Sequence, residues 1–324
     1  MISCPLCNEP ARSRDVTVRS GKKMVLWHCE ACDYDFFIHD PTESLAANKL
    51  DDSRLKSSGL NIPSRETDFV NGLNQSRPYI NEYLTPNDRD KNILEIGCSW
   101  GYFLKLVEEA GSIPYGVEVN LIRAQYVRED LKISCFPDLE SCETSGIHFH
   151  KIFLFYVLEY IPQPVVYLKR LNDLLEPNGS IIIITPNLND AIKDFYRNEG
   201  FIHFFYDEHA INYFSCRSIR QIAKAIDKPD AAIETRQGYS FINHINWFLT
   251  GSPRTTQVVG GDNFVKNFTT PLRETESGNF PGVKPENKII AGELADLIEE
   301  FDQNYRRVLE TYGYGNQIRI IIDK

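Results

Sequence analysis

Short apolar strands alternate with amphipathic helices from Asn92 to about residue 236, and this alternation constrains the fold more than any other feature. A strand over 92–96 precedes a helix over 102–110, and later strands end with an isoleucine run at 180–185. Strands that alternate with helices in this way form a parallel sheet through right-handed crossovers. An uninterrupted apolar strand is typical of a sheet buried on both faces. We therefore expect an α/β fold with helices on both faces of the sheet.

Four of the eight cysteines lie in two CxxC pairs, Cys4 with Cys7 and Cys29 with Cys32. Each pair places two thiolates on one side of a tight turn, and two pairs complete a tetrahedral site. Four thiolates leave no open coordination position, and so short a segment cannot bury enough surface to fold without the metal. We therefore expect a structural Zn²⁺ in a small zinc ribbon. Iron and unligated thiols are the alternatives, and His28 is an alternative ligand.

The chain is predicted to divide into three segments. Residues 1–40 form the zinc ribbon, 41–90 a linker with a helical lead-in, and 91–324 the main domain. The less regular segment at about 237–316 is interpreted as an insertion or lid, and the last strand follows it at 317–322.

Charge and composition restrict the partners. The net charge of −10 disfavours nucleic acid, and residues 1–40 hold five Arg and Lys against six Asp and Glu. No apolar run approaches the roughly 18 residues that span a bilayer, and the N-terminus lacks the pattern of a signal peptide. We therefore expect no membrane insertion and a cytoplasmic location, while the sequence does not predict the oligomeric state.

A glycine turn joins the first strand of the main domain to its first helix. The turn, Gly97-Cys98-Ser99-Trp100-Gly101, exposes backbone N–H groups that a ligand can approach closely. Glu118 ends the next strand, where a carboxylate can accept both hydroxyls of a ribose. The same turn matches the G-x-S-x-G elbow of serine hydrolases with Ser99 as nucleophile, but that fold needs several earlier strands. A dinucleotide dehydrogenase would have glycine where this chain has Ser99 and Tyr102.

The stretch from Leu94 to Phe103 resembles motif I of class I S-adenosylmethionine-dependent methyltransferases. Further segments, Val157–Pro164, Leu175–Asn187 and Glu208–Ser215, resemble the later motifs of a subgroup that includes ubiquinone-pathway O-methyltransferases and sugar methyltransferases. The N-terminal ribbon resembles that of bacterial methyltransferases of glycan and deoxysugar pathways. The chain departs from the family pattern at Ser99, at Tyr160 in place of a histidine, and at His150 in place of an aspartate.

The resemblance implies a Rossmann-like, seven-stranded, mostly parallel sheet and S-adenosylmethionine as cofactor. It places the adenine side of the cofactor near Asp138 and the ribose near Glu118. The full set of expected cofactor-binding residues is Glu95, Gly97, Cys98, Ser99, Gly101, Tyr102, Phe103, Glu118, Val119, Asp138, Leu139, Phe155 and Tyr156.

The expected reaction is methyl transfer to a small-molecule or sugar acceptor, such as a nucleotide sugar or a cell-surface glycan precursor. A hydroxyl acceptor would be helped by a general base, and the candidates are His209, Glu159 and His203. The aromatic residues at 201–206 and the segment 238–248 could cover the acceptor. An rRNA or tRNA methyltransferase and a non-catalytic binding protein of the same fold are the alternatives.

Overall fold

The computed structural model describes residues 2–38, 65–252, 264–277 and 284–324. Residues 41–64 of the predicted linker, and parts of the predicted insertion, lie outside these residues. The described strands are β1 (Arg12–Thr17), β2 (Lys23–Cys29), β3 (Tyr34–Phe37), β4 (Asn92–Ile96), β5 (Ile113–Val117), β6 (Ser134–Phe136), β7 (Phe149–Phe155), β8 (Leu175–Pro186), β9 (Asn212–Phe214), β10 (Ala232–Arg236) and β11 (Gln317–Asp323).

The α-helices are α1 (Arg65–Tyr83), α2 (Tyr102–Glu109), α3 (Leu121–Glu129), α4 (Leu139–Thr144), α5 (Pro164–Asp173), α6 (Glu199–Phe205), α7 (Cys216–Ala225), α8 (Phe241–Thr250), α9 (Phe264–Glu276) and α10 (Pro285–Thr311). Single turns of 3₁₀-helix occur at Pro86–Asp88 and Leu158–Tyr160, and a short π-helix spans Ala191–Phe195. Within the described ranges, no helix is both long enough and apolar enough to cross a membrane.

Seven strands form the central sheet in the order β10-β11-β8-β7-β4-β5-β6. The pairs β4–β5, β4–β7, β5–β6 and β7–β8 are all parallel, because a helix connects each strand to the next. The isoleucines of β8 are buried, as their uninterrupted apolar run predicts. The prediction of a Rossmann-like, mostly parallel seven-stranded sheet is therefore confirmed.

One layer of the core lies between this sheet and the helices α1 and α2. Ile93 of β4, Phe153 of β7 and Ile182 of β8 pack with Phe103 and Val107 of α2, and all five side chains are buried. The apolar periodicity of α2 turns one face of the helix towards the sheet. This packing fixes the start of α2, and hence the glycine turn before it.

The N-terminal strands belong to a second, four-stranded sheet, in the order β1-β2-β3-β9. The sequence analysis predicts a zinc ribbon over residues 1–40 but neither β3 nor β9. Strand β9 lies far from β3 in the chain, shortly after α6, yet it pairs antiparallel with β3. Tyr34 is buried, stacks on Phe36 and Phe214, and donates a short hydrogen bond to Asn212 Oδ1. The hairpin is therefore joined to the main domain through an extended sheet.

The chain forms two compact units. The first comprises residues 1–185, 208–233 and 319–324, and the second comprises 186–207 and 234–318. The first unit thus contains both the cysteine-bearing hairpin and most of the parallel sheet. The second unit also takes in residues 186–207, which precede the predicted insertion at 237–316.

The second unit has its own small core, formed by Ile192, Phe201 and Trp247, with Phe204 and Phe205 packed against it. The Phe201 and Trp247 rings meet edge to face, with centroids 4.9 Å apart. This packing accounts for the aromatic residues at 201–206 without a ligand.

Candidate functional site

The glycine turn lies between β4 and α2, at the carboxyl end of the parallel strands. Gly97 and Gly101 have φ angles of 72° and 75°, and Ser99 between them is also left-handed, at 50°. Glycine adopts this region without steric cost, whereas Ser99 is a strained position of the kind that clusters at functional sites. The N–H groups of Gly97 and Cys98 both donate to the Val117 carbonyl, at 2.7 and 3.2 Å. The turn is therefore anchored on the neighbouring strand.

Glu118 follows β5 directly and is buried beside the turn. Its Oε2 accepts a hydrogen bond from the Ser99 N–H, and its Oε1 accepts one from the Asn120 N–H, both at 2.8 Å. Asn120 in turn caps α3, because its Oδ1 accepts from the N–H groups of Ile122 and Arg123. Each carboxylate oxygen keeps a further lone pair. The Glu118 carboxylate is thus held in place while it can still accept hydroxyl groups.

Glu95 is the second buried carboxyl group at this edge, on β4 directly opposite Gly116 of β5. Among the atoms that the structure describes, its Oε2 has no hydrogen-bond partner. Burial, followed by the nearby charge of Glu118, raises the pKa of Glu95 well above its usual range. An unsatisfied carboxyl oxygen in such a place favours a ligand that brings a cation or a hydrogen-bond donor.

The Ser99 hydroxyl accepts a hydrogen bond from Arg123 Nη1 at 3.4 Å, and the guanidinium lies 5.7 Å from the centroid of the Trp100 indole. A guanidinium is always protonated and cannot act as a base. The side chain that contacts the Ser99 hydroxyl in the described residues is therefore not the base that a serine nucleophile needs.

Two of the expected cofactor residues turn their side chains into the core. The Cys98 thiol lies 3.8 Å from that of Cys135 within a buried apolar cluster, and Phe103 packs on the central sheet. Only their backbone atoms can face a ligand. Tyr102 packs edge to face on Phe69, with ring centroids 5.3 Å apart.

The expected adenine-side residues lie after β6. Asp138 is exposed and caps α4, since its Oδ1 accepts from the Ser141 N–H at 2.8 Å, while Leu139 is buried. Val119 is half-buried between Glu118 and the start of α3.

Phe155 and Tyr156 mark the carboxyl end of β7. Phe155 stacks on Tyr79 of α1 at a centroid distance of 4.6 Å. Tyr156 is exposed and left-handed, with φ of 56°, a strained conformation for a tyrosine. Burial raises the pKa of Tyr79, which exchanges a hydrogen bond with Tyr156. An aromatic group from α1 thus supports the edge of the candidate site.

The three candidate bases occupy different environments. Glu159 is buried, and its Oε2 accepts a hydrogen bond from the Thr185 hydroxyl at 3.2 Å, while its carbonyl accepts from the Ile211 N–H. His209 is half-buried in the first unit. His203 is exposed on α6 of the second unit.

The four paired cysteines converge on one point. Their sulfur atoms all lie within 4.8 Å of one another, and Cys7 Sγ is 3.6 Å from Cys29 Sγ. Sulfur atoms that share a zinc ion at about 2.3 Å lie at a comparable separation. Burial raises the pKa of the Cys4 thiol to about 12, so a nearby cation is needed to keep it ionised. The donor set fits a divalent metal.

His28 is not part of the group of four cysteines whose sulfur atoms converge, although it is an alternative ligand from the sequence. Its Nδ1 lies 2.7 Å from Asp35 Oδ1, and the hydrogen bond to Asp35 raises the pKa of the imidazole. Arg14 also contacts this buried carboxylate, at 3.1 Å.

Several residues around the site were not named by the sequence analysis. Asn120 holds both Glu118 and α3, Arg123 contacts Ser99, and Thr185 contacts Glu159. An asparagine before a helix is a capping signal that could have identified Asn120. Tyr79 carries no such signal, because its contact with β7 depends on the tertiary packing of α1.

Residues 73–227 match the model of a family described as a methyltransferase domain. This segment contains the turn, Glu118, and the strands from β4 to β9. The prediction of a methyltransferase is therefore confirmed for residues 73–227, which match a methyltransferase domain. No curated protein matches the sequence significantly.

Solved enzyme structures resemble the chain at low identity. An S-adenosylmethionine-dependent methyltransferase from Archaeoglobus fulgidus matches with a TM-score of 0.47 and 15% identity, over 80% of this chain and 97% of that one. A possible histamine N-methyltransferase from Thermotoga maritima matches at 0.42 and 12%, over 80% and 90%. The cyclopropane synthase MmaA2 from Mycobacterium tuberculosis matches at 0.39 and 13%, over 81% and 84%.

Proposed function

We propose that the chain binds S-adenosylmethionine at the glycine turn and transfers its methyl group to a small-molecule or sugar acceptor. One observation carries the cofactor part of this proposal. Two buried carboxyl groups, Glu95 and Glu118, flank the turn on adjacent parallel strands, and one of them has an unsatisfied oxygen. A ligand with a ribose and a cationic end matches this pair.

Each group has a distinct proposed role. Glu118 accepts the ribose hydroxyls, since its carboxylate is already oriented by two backbone N–H groups. Glu95 faces the positively charged end of the cofactor, which would satisfy its Oε2. The left-handed turn between Gly97 and Gly101 lets the ligand approach the backbone closely. Asp138 and Leu139 are proposed to border the adenine.

The bound cofactor supplies a methyl group that is already activated on a sulfonium. The protein therefore has to exclude water and hold the acceptor in line, an effect that reaches roughly 7–11 kcal/mol in favourable cases. We assign this positioning to Phe155 and Tyr156 at the end of β7. His209 is the proposed base for a hydroxyl acceptor, because Glu159 is engaged by Thr185. His203 is the alternative base.

Cys4, Cys7, Cys29 and Cys32 are proposed to hold a structural Zn²⁺. The convergence of the four sulfur atoms and the packing of β3 on β9 support a role in folding. Four protein thiolates would leave no position for a substrate.

Calorimetric titration with S-adenosylmethionine and its demethylated product tests the cofactor site. We expect 1:1 binding that Glu118→Ala weakens by roughly 100-fold or more, since each of two hydrogen bonds to a charged group contributes about 1.5–3 kcal/mol. Glu109→Ala is the matched control, because Glu109 is exposed at the far end of α2. Binding by Glu118→Ala within threefold of wild type, in a folded protein, would refute the assigned role.

A methyl-transfer screen over nucleotide sugars and small hydroxylated compounds tests the acceptor class. The same screen with ribosomal and transfer RNA tests the second hypothesis, for which the net charge of −10 is unfavourable. Labelled RNA without any labelled small molecule would overturn the acceptor proposal. Cofactor binding without any transfer would favour a non-catalytic binding protein.

A further inference from the structure

The longest helix of the second unit, α10, carries an exposed apolar stripe. Five large apolar residues on one side of the helix are each between 43% and 63% exposed, namely Ile290, Leu294, Leu297, Phe301 and Val308. They follow the 4-3-4-7 spacing of a heptad repeat, and Asn304 occupies the remaining position of the series. Such a stripe spans about 27 Å along the helix. An exposed apolar helix face of this length normally packs against another element, such as a helix.

Another side of α10 already serves the core of the second unit. Ala291, Ala295, Asp302 and Leu309 are buried, and they project about 100° or more around the helix from the centre of the stripe. Asp302 accepts from the Phe241 N–H of α8 at 2.8 Å. Within the stripe, Phe301 packs edge to face on Phe241 of α8, with ring centroids 4.7 Å apart, and still stays 53% exposed. Most of the stripe is thus additional to the internal packing of α10.

The sequence of α10 is self-complementary when two copies run antiparallel. In that arrangement, each first-position residue of a heptad faces a fourth-position residue of the other helix. The resulting layers are Ile290 with Val308, Leu294 with Asn304, and Leu297 with Phe301, each of them formed twice around a two-fold axis. The axis passes near residue 299, so the whole stripe is covered in one register.

Charges beside the stripe agree with the antiparallel direction. Glu293, Glu300 and Arg307 are exposed along one border of the stripe. In the antiparallel register, Glu293 of each copy faces Arg307 of the other, which forms two ion pairs. Glu300 lies near the axis and faces Glu300 of the other copy. A parallel pair would instead place these charges opposite Ile298 and Tyr305, where no ion pair forms.

We infer that α10 is a homodimerisation helix, and that a second copy of this chain covers the stripe through an antiparallel two-helix contact. The partner is a second copy because the apolar layers and the flanking charges of α10 complement α10 itself. Asn304 opposes an apolar residue and limits the strength of the contact, while it disfavours shifted registers.

Sedimentation velocity of the 324-residue chain at about 50 μM tests this inference, since association with a Kd near 1 μM is essentially complete there. We expect a species of twice the 37.3 kDa chain mass. Leu297→Glu should give a monomer, because it places a charge in a central layer. Ile289→Glu is the matched control, an equally exposed isoleucine on the same helix that lies off the stripe, and it should remain dimeric.

Charge variants test the direction of the helices. Arg307→Glu should weaken the dimer roughly tenfold or more, because it replaces two attractive pairs with two repulsive ones, and Glu293→Arg combined with it should restore the affinity. Glu300→Gln should strengthen the dimer by removing the like-charge pair. Cofactor titration of each variant, together with circular dichroism, verifies folding.

A monomeric wild-type chain at this concentration would overturn the inference. So would a dimer that persists in Leu297→Glu, or one in which the double charge reversal does not recover affinity. None of these outcomes depends on methyl transfer, so failure of the dimer and failure of the proposed reaction are distinguishable.

Discussion

The Gly97→Ala variant measures the conformational and steric constraints on the glycine turn. Gly97 has a φ of 72°, and a Cβ built on it would lie 2.6 Å from Val157 Cγ2. The substitution therefore adds two costs, a left-handed alanine and an overpacked contact. Gly146 is a matched control, with a φ of 69° and open space around its would-be Cβ.

The two costs can be estimated separately. A left-handed L-residue costs about 1–2 kcal/mol, which is the whole effect expected for Gly146→Ala. Overpacking adds about 1–3 kcal/mol. Gly97→Ala should therefore lower the free energy of unfolding by about 2–5 kcal/mol, and should weaken cofactor binding at least roughly tenfold, since the displaced turn carries the Ser99 N–H that orients Glu118.

Urea unfolding followed by tryptophan fluorescence measures the stability, and calorimetry measures the cofactor affinity. The double variant Gly97→Ala with Val157→Ala removes the contacting methyl group. Relative to Val157→Ala alone, the double variant should have a free energy of unfolding that is lower by only the conformational cost seen in Gly146→Ala. If Gly97→Ala is no more destabilising than Gly146→Ala, or if Val157→Ala brings no recovery, the steric explanation of the turn is wrong.

The remaining predictions concern the rest of the molecule. The purified chain should contain one zinc by atomic absorption, and Cys29→Ser or a strong chelator should remove the metal and expose β3 and β9 to hydrogen exchange. Tyr34→Phe should cost about 1–3 kcal/mol in urea unfolding, because Asn212 Oδ1 loses a buried donor, whereas Tyr312→Phe at an exposed position should cost nothing measurable. Burial raises the pKa of Asp190 to about 7, so its neutral form is favoured in the folded chain, and stability should fall as the pH rises from about 4 through 7. Asp190→Asn should flatten this part of the profile in thermal melts, and an unchanged profile would contradict the assignment.

Apolar periodicity and the glycine turn predicted the strands and helices whose formation depends mainly on nearby residues in the chain. The strand β4, the glycine turn and α2 follow one another directly between residues 92 and 109, and the position of Glu118 is set by the next strand. The isoleucines of β8 indicate burial on both faces without further information. These elements define the sheet and the proposed cofactor site.

Elements that depend on distant contacts were missed. Strand β9 has only three residues, Asn212–Phe214, and becomes a strand because β3 supplies its hydrogen-bond partners. The sequence of α8 contains mixed polar and aromatic residues. The position of Trp247 in the core is set by its contact with Phe201, which is far away in the chain. The unsatisfied oxygen of Glu95 is likewise a tertiary property, since its burial depends on the neighbouring strands. Sequence periodicity carries none of this information.

The pairing of β3 with β9 has a consequence for synthesis and for truncation. The cysteine-bearing hairpin is synthesised well before β9, the strand that completes its sheet, so β3 stays without this partner until residue 214 has been made. A shortened chain that begins after residue 64 would lack β3, so the backbone of β9 would be left without its partner, as at an open sheet edge, with Tyr213 and Phe214 uncovered. Open edges pair with other chains and promote aggregation. Removal of the N-terminal segment should therefore reduce solubility as well as metal content.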